Sequence, residues 1–217
     1  MRKTLDLLRR VIVYEWRMWR SLYRWLLRRP VALPEGAEAF GYLGAVKPIL
    51  VAFIALSAVE IPIFDVIIRH TMPWPTVREV ALGLGVWGVL WMIGLYAALQ
   101  VHPHVAEPAG LRVRNGFSVD FTVPWEAVAR VDVRHRSLAG SRTVQVERTE
   151  AGTVLNVVTG KQTSVDLVLH RPLSVGLPNG PSEPVSEIRL HADEPDALAR
   201  KARDHLPAPD PTTTRRR

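Results

Sequence analysis

Hydrophobic residues follow three different patterns along this chain. Residues 1–30 repeat apolar side chains at helical spacing between arginines, two long apolar stretches occupy 48–68 and 80–100, and after Pro103 valines alternate with polar residues. Spacing of three or four residues is typical of an amphipathic helix, a run of about 20 apolar residues of a membrane span, and alternation of a β-strand. The pattern therefore predicts an α+β membrane protein.

The two apolar stretches predict a transmembrane hairpin within 31–104. Each stretch has 21 residues, and a helix of that length reaches about 31 Å, which matches a hydrocarbon core of about 30 Å. The link between them is short and contains Trp74 between two prolines, so we expect an antiparallel pair with Trp74 at the membrane interface. A buried helix of a soluble protein is the alternative for 80–100.

The distribution of charge predicts the orientation of this hairpin. The chain has 28 Lys and Arg against 21 Asp and Glu, and residues 1–30 contain nine basic and only two acidic residues. The link between the spans offers only Arg69 and Arg78. Because cytoplasmic segments near a span are enriched in basic residues, we predict a cell (inner) membrane protein with both termini in the cytoplasm.

Residues 1–30 are predicted to form a basic interfacial helix rather than a secretory signal, because arginines interrupt every apolar run. A helix aligns Leu5, Leu8, Ile12, Trp16, Trp19, Tyr23 and Leu26 in one stripe. The residues predicted to contact anionic lipid headgroups at the membrane surface are Arg10, Arg17, Arg20, Arg24 and Arg28, with Trp16 and Trp19. Packing of the stripe on the protein's own β domain or on a partner helix is the alternative. Nucleic-acid binding is disfavoured, because the aromatics share one apolar face directly before a span.

Two acidic residues interrupt the first span. Glu60 lies near its middle and Asp65 closer to its outer end, and an acidic side chain at mid-membrane costs at least about 2.5 kcal/mol. One interpretation is an ion-responsive or ligand-responsive site formed between copies of the chain. The other is a protonated Glu60 that hydrogen-bonds to the second span or to another copy.

The C-terminal half, 105–206, is predicted to form a small β barrel or sandwich of about seven strands closed by one helix. An Asn115-Gly116 pair indicates a two-residue hairpin turn, and Pro124-Trp125-Glu126 a short helical turn. The strands are expected near 111–114, 117–123, 129–136, 143–149, 153–158, 163–170, 173–177 and 185–191, followed by a helix at 194–205. Residues 207–217 read as a disordered tail, and those preceding the first span, 34–44, as a loop.

Three stretches of this domain, LRVRNGF, VPWEAVARVDV and HADEPDALARKARDHL, resemble bacterial pleckstrin-homology-like (PH-like) domains. The spans together with HPHV and VTGKQTSVDLVLHRPLSVGLP resemble uncharacterised two-span integral membrane proteins of actinobacteria. The resemblance implies a binding or assembly module whose partner is another protein or a second copy of the chain. It transfers no catalytic residue and assigns no lipid ligand.

The chain offers little to catalysis. It has no cysteine, so a disulfide framework, a thiolate zinc site and a cysteine nucleophile are excluded. His102-Pro103-His104 is interpreted as a juxtamembrane linker rather than a metal site. Gly160-Lys161-Gln162-Thr163 resembles the end of a phosphate loop, but Leu155 stands where that loop needs glycine, so Lys161 is predicted at an exposed hairpin tip. We expect no enzymatic activity, cofactor or metal; an enzyme would need catalytic groups brought together from distant positions.

Overall fold

The computed structural model describes residues 13, 15, 16, 18–27, 33–72, 74–178 and 180–206. These residues fall into two compact units. One unit takes the N-terminal helix and residues 43–102, and the other takes residues 33–42 together with those from 103 onward. Residues 33–42 were predicted to lead into the membrane hairpin, so their membership of the second unit differs from the predicted domain boundary.

The first unit consists of three helices: α1 (18–26), α2 (Lys47–Thr71) and α3 (Pro75–Val101). The helices α2 and α3, of 25 and 27 residues, contain the predicted spans and extend them, so that only residues 72–74 connect the two. Pro75 begins α3, where its fixed φ and missing N–H suit a first helical turn. Both helices are long and apolar enough to cross a membrane, and α2 has no buried residue.

The second unit contains two main sheets, a small hairpin and a C-terminal helix. Its elements are β1 (Glu38–Phe40), β2 (His104–Glu107), β3 (Gly110–Asn115), β4 (Val119–Pro124), β5 (Val128–Ser137), β6 (Val144–Thr149), β7 (Gly152–Val157), β8 (Gln162–Leu173), β9 (Gly176–Leu177), β10 (Gly180–Pro181), β11 (Val185–Leu190) and α4 (Pro195–His205). The first sheet is antiparallel in the order β1-β2-β3-β4, and β9 pairs with β10. The second sheet has the order β5-β8-β11-β7-β6, in which only β11 and β7 run parallel.

A single hydrophobic core fills the second unit. Alternate residues of both sheets contribute to it, as do Leu198, Ala199 and Ala202 of α4. The helix α4 is held further by Trp125, whose ring stacks on His205 with the centroids 5.3 Å apart, and whose indole N–H donates to the Glu107 carbonyl over 2.8 Å. Burial of apolar area at about 25 cal/mol per Å² makes this core the main source of the unit's stability.

Most of the predicted strands and the terminal helix are confirmed, but the strand number is too low. The structure adds β1 and β2, which flank the helical hairpin, and β10, which pairs with the short β9 inside the predicted strand 173–177. The prediction of a loop over 34–44 was wrong at β1, where Phe40 pairs with His104 and Glu38 with Ala106. A three-residue strand has no strong local pattern, and this one forms because β2 provides its hydrogen-bonding partner.

The predicted Asn-Gly hairpin has a longer turn than expected. Asn115 pairs with Val119, so residues 116–118 form a three-residue loop in which Gly116 has a φ of 55°. The Gly116 N–H donates to the Tyr42 hydroxyl over 2.8 Å, and the Asn115 amide donates to Val158 and Thr159. These tertiary contacts select the wider turn.

His104 belongs to the core, so its interpretation as a linker was wrong. It is 1% exposed; its Nδ1 accepts the Arg114 backbone N–H over 3.1 Å, and its Nε2 donates to the His191 carbonyl over 2.9 Å. The Tyr42 ring lies against it, with the centroids 4.9 Å apart. Burial lowers the pKa of His104 to about 4, which keeps its Nδ1 free to accept a hydrogen bond at neutral pH.

This buried histidine predicts that the second unit becomes less stable in mild acid. The unfolded chain binds a proton near pH 6.5 and the folded chain only near pH 4, so stability is full above about pH 6.5 and falls as pH drops toward 4. We expect a loss of about 2 kcal/mol between pH 7 and pH 5. Thermal unfolding of the full chain in detergent, followed by the β-sheet circular dichroism signal, measures it.

His104→Gln is the matched variant, because glutamine supplies a donor and an acceptor but does not titrate. We expect the stability of this variant to depend less steeply on pH. Part of the pH dependence should remain, because burial also lowers the pKa of His191. An unchanged slope in His104→Gln would assign the effect to other groups.

Candidate binding site

The residues predicted to contact the membrane surface are only partly covered by the structure. Trp16 is 72% exposed, Arg20 is exposed and Arg24 is partly buried. Trp19 is also partly buried. The predicted Arg10, Arg17 and Arg28 lie outside the described residues. Contact of this helix with lipid therefore stays a prediction.

The face of the N-terminal helix that packs on α3 shares only Trp19 with the described part of the predicted stripe. Met18 and Ser21 are buried, and the Trp19 ring lies 5.2 Å from that of Trp87. The Glu15 carboxylate accepts hydrogen bonds from two indoles, Trp19 over 3.1 Å and Trp91 over 3.2 Å. Further toward its C-terminal end, the Trp25 indole donates to the Gln100 side chain over 2.7 Å. Polar contacts thus hold α1 to α3, while Trp16, Tyr23 and Leu26 of the predicted stripe are exposed.

Gly94 is a point of close approach between α1 and α3. A Cβ atom at this position would lie 2.9 Å from Cγ of Met18, whereas a Cβ atom at Gly88 would meet nothing within 4 Å. The two glycines therefore provide a matched pair for testing the contact.

We predict that Gly94→Leu displaces α1 and that Gly88→Leu does not. Because the chain has no cysteine, Ser21→Cys, at a position 3% exposed, reports the contact through its rate of reaction with a maleimide. The rate should rise at least about tenfold in the Gly94→Leu background, since separated helices expose residue 21. Equal rates in the two leucine variants would contradict this packing.

The two acidic residues of α2 have different surroundings. Asp65 forms a two-point ion pair with Arg78 of α3, with Nε to Oδ1 at 2.7 Å and Nη2 to Oδ2 at 3.0 Å. Glu60 is exposed and has no hydrogen bond or ion pair with any of the described residues. Ile61, next in sequence, lies beside Gly85 of α3 instead. Glu60 and Asp65 therefore do not form one site within a single chain, and Asp65 is already neutralised.

The second sheet carries a row of polar residues that sequence reasoning missed. One residue from each strand is in register with the next across the sheet: Asp132, Asp166, Arg189, Asn156 and Gln145. Residues opposite each other in paired strands project from the same face. Their sequence neighbours, such as Leu155 and Leu167, belong to the core on the other face. The row nevertheless includes two buried members, Asp166 at 2% exposure and Asn156 at 1%.

Ion pairs balance the charges of this row. The Arg136 guanidinium lies 2.5 Å from the Asp166 carboxylate. Arg189 contacts Glu187 at 2.7 Å, Glu147 at 3.3 Å and Asp166 at 3.9 Å. Each of these acidic groups therefore lies within 4 Å of a guanidinium.

Asn156 is the exception to this pairing. Its side-chain oxygen and nitrogen are both buried, and neither has a hydrogen-bond partner within the described part of the chain. Leaving a buried amide unsatisfied costs about 1–3 kcal/mol. Such a group calls for a physical explanation, since nearly all buried polar atoms are hydrogen-bonded.

A cavity of about 550 Å³ lies beside this asparagine. It is lined by residues 136–140, Gln145, Val146, Glu147, Asn156 and Arg189. The connection 138–143 bounds it, because it must cross from β5 to β6, which are opposite edges of the sheet. We call residues 138–143 the strap.

Several hydrogen bonds hold the strap in place. At one end the Leu138 N–H donates to the Lys161 carbonyl over 2.8 Å, and at the other the Val158 N–H donates to the Thr143 carbonyl over 2.7 Å. The Gln145 amide donates to the Gly140 carbonyl over 3.0 Å and to the Arg142 carbonyl over 2.9 Å. Lys161 lies at an exposed turn, as predicted, but this turn does not join a hairpin, because β11 lies between β7 and β8 in the sheet. The cavity is therefore bounded on this side by an ordered segment.

A sequence signal for this site exists, although it is incomplete. Asn156 and Asp166 each interrupt a valine-rich strand, and a polar residue within such a run is unusual. The sequence does not reveal that these two residues lie on either side of Arg189, because their register depends on the parallel pairing of β7 with β11.

Comparisons of the chain with protein-family models, curated proteins and solved structures found no match. The assignment of the site therefore rests on its contacts alone. Among the described residues, no three His, Asp or Glu side chains group together in a way that could hold a metal ion. The arrangement offers hydrogen bonding and paired charges to a ligand.

Proposed function

We propose that this chain is a non-enzymatic integral protein of the bacterial cell membrane that presents a PH-like β domain at the cytoplasmic face for binding or assembly. The observation that carries the proposal is the insertion of the helical hairpin between two paired strands. Residues 43–102 leave the β domain after β1 and return to it at β2. The hairpin therefore begins and ends at neighbouring points of the same domain.

The pairing of β1 with β2 supports a common side for both ends of the hairpin. Phe40 pairs with His104, and paired residues in antiparallel strands have Cα atoms about 4.5–5.5 Å apart. Two features at the other end of the hairpin, remote from β1 and β2, support antiparallel helices. They are the three-residue connection 72–74 and the Asp65–Arg78 ion pair. A membrane crossed twice by this hairpin would have the whole β domain on one side.

The surface of the hairpin supports a lipid environment. Every residue of α2 is at least partly exposed, including Phe53, Leu56 and Phe64. Contiguous apolar surface of this extent is unfavourable in water and is typical of membrane or protein contacts. The basic residues of the N-terminal segment, among them Arg20 and Arg24, support a cytoplasmic position for that end.

A binding role agrees better with the β domain than catalysis does. Within the described residues, no hydroxyl group beside the cavity is hydrogen-bonded to a histidine or a carboxylate. The two sheets around one core, followed by α4, are compatible with the PH-like resemblance. Tethering such a domain to the bilayer raises its effective concentration for partners at the membrane.

Cysteine labelling tests location and topology together. Met72→Cys lies in the connection 72–74 and Glu150→Cys in an exposed turn of the β domain. We expect the protein in the membrane fraction, with Met72→Cys labelled by an impermeant maleimide in intact cells and Glu150→Cys labelled only after permeabilisation. Recovery in the soluble fraction, or labelling of Glu150→Cys in intact cells, would contradict the proposal.

Self-association through α2 is the partner interaction that Glu60 supports. The residue is exposed and lies near the middle of the predicted span. A polar side chain at that depth is stabilised when it hydrogen-bonds to another helix, with about 1 kcal/mol gained in model systems. The rival interpretation is an ion-responsive site that uses Glu60 and Asp65. It is disfavoured because Asp65 already forms an ion pair with Arg78.

We predict that Glu60→Leu weakens self-association several-fold and that Glu60→Gln retains it, because glutamine still forms a hydrogen bond between helices. Energy transfer between labelled copies in liposomes measures the associated fraction. The same fraction in all three proteins would exclude Glu60 from the contact. A sensor would behave differently, since Glu60→Gln removes the carboxylate and should abolish its response.

A further inference from the structure

We propose that the cavity beside the strap binds a ligand with a carboxylate next to an amide, which is the chemistry of a peptide C-terminus. This inference rests on the proposed binding function and deepens it by naming the class of ligand. Two sources share that chemistry, a free short peptide and the C-terminus of a protein.

Asn156 is the reason to expect an amide group in the ligand. Its side chain carries one acceptor and two donor hydrogens, both polar atoms are buried without a partner among the described residues, and the residue lines the cavity. A peptide group has one donor and one acceptor and can satisfy both atoms once the Asn156 side chain turns toward the cavity, because both atoms are buried in the empty domain. The free energy that the unsatisfied amide costs in the empty domain would be recovered on binding.

Two guanidinium groups are the reason to expect a carboxylate in the ligand. Arg136 and Arg189 both line the cavity. Arg136 binds Asp166 through one nitrogen, and Arg189 uses Nε for Glu187 and Nη1 for Glu147. A guanidinium has five N–H donors, so each arginine has further donors for a carboxylate.

The balance of charge limits the ligand to a weak anion. The two arginines are accompanied by Glu147 in the cavity wall and by Asp166 and Glu187 next to them. Clustered phosphates need an excess of positive charge, which these acidic residues remove. These three acidic residues outnumber the two arginines, so a single carboxylate would be held by the remaining guanidinium N–H donors and not by an excess of positive charge.

The size of the cavity and the position of Asn156 agree with this assignment. A volume of about 550 Å³ lies within the range of small-ligand pockets, about 300–1,000 Å³. Val154 and Leu155 precede Asn156 and Val157 follows it, so valine at 156 would suit the strand and avoid the unsatisfied amide. The asparagine therefore lowers stability at a site where it serves a ligand.

Binding of N-acetyl-trialanine to the full-length protein in detergent micelles tests the proposal. Ligand-observed NMR compares this peptide with its C-terminal amide. We expect weak saturable binding of the carboxylate form and at least about fivefold weaker binding of the amide. A small folded carrier protein ending in the same three residues forms a second arm, in which binding identifies a protein C-terminus as the source and binding of the free peptide alone identifies a small peptide.

Asn156→Val should reduce binding at least about tenfold while the thermal midpoint stays equal or rises. Thr163→Val is the matched control, because Thr163 is also fully buried with an unpartnered hydroxyl but does not line the cavity. It should bind as the wild type does. If Asn156→Val does not fold, Arg136→Gln tests the proposal instead. Its preference for the carboxylate peptide over the amide peptide should be reduced.

Three results would overturn the inference: no binding of either form, unchanged binding in Asn156→Val, or unchanged preference for the carboxylate in Arg136→Gln. The same protein is also tested for its membrane location by fractionation and for its topology by labelling of Met72→Cys and Glu150→Cys. A normal pattern without peptide binding rejects the ligand alone, whereas an abnormal pattern rejects the proposed function.

Discussion

The pairing of β1 with β2 is the constraint on which the arrangement of this chain depends. It joins two segments that are separated by about 60 residues of helical hairpin, and it is backed by the buried pair Tyr42 and His104. The Tyr42 hydroxyl and both His104 ring nitrogens bond to backbone groups of other segments. Because burial keeps His104 neutral, these hydrogen bonds hold the two segments together within the β domain near neutral pH.

Several polar side chains of the helical unit are paired within it. Glu15 accepts hydrogen bonds from two indoles, Trp25 donates to Gln100, and Asp65 pairs with Arg78. Each of these polar groups joins two different helices or two turns of one helix. Glu60 has no such partner among the described residues, which makes it the residue of α2 that a second copy would most stabilise.

The β domain shows the same contrast between paired and unpaired polar groups. Arg136 and Arg189 pair with Asp166, Glu147 and Glu187 on the outer face of the second sheet, and the strap covers part of that face. Asn156, in the same row, is buried without a partner. An apolar residue at this position would give a more stable fold than the buried, unpaired asparagine does. Residues that reduce stability in this way are typical of functional positions.

The sequence alone determined the long apolar helices, the valine-rich strands and the terminal helix, because each has a period that local side chains set. Only the tertiary structure decided what depends on distant partners: strand β1, the buried state of His104, the three-residue turn after Asn115, and the face by which α1 contacts α3. The polar row belongs to this second group. Asn156 and Asp166 stand out within their strands, but which residues lie beside them follows from strand order and register, which hydrogen bonds between distant segments determine.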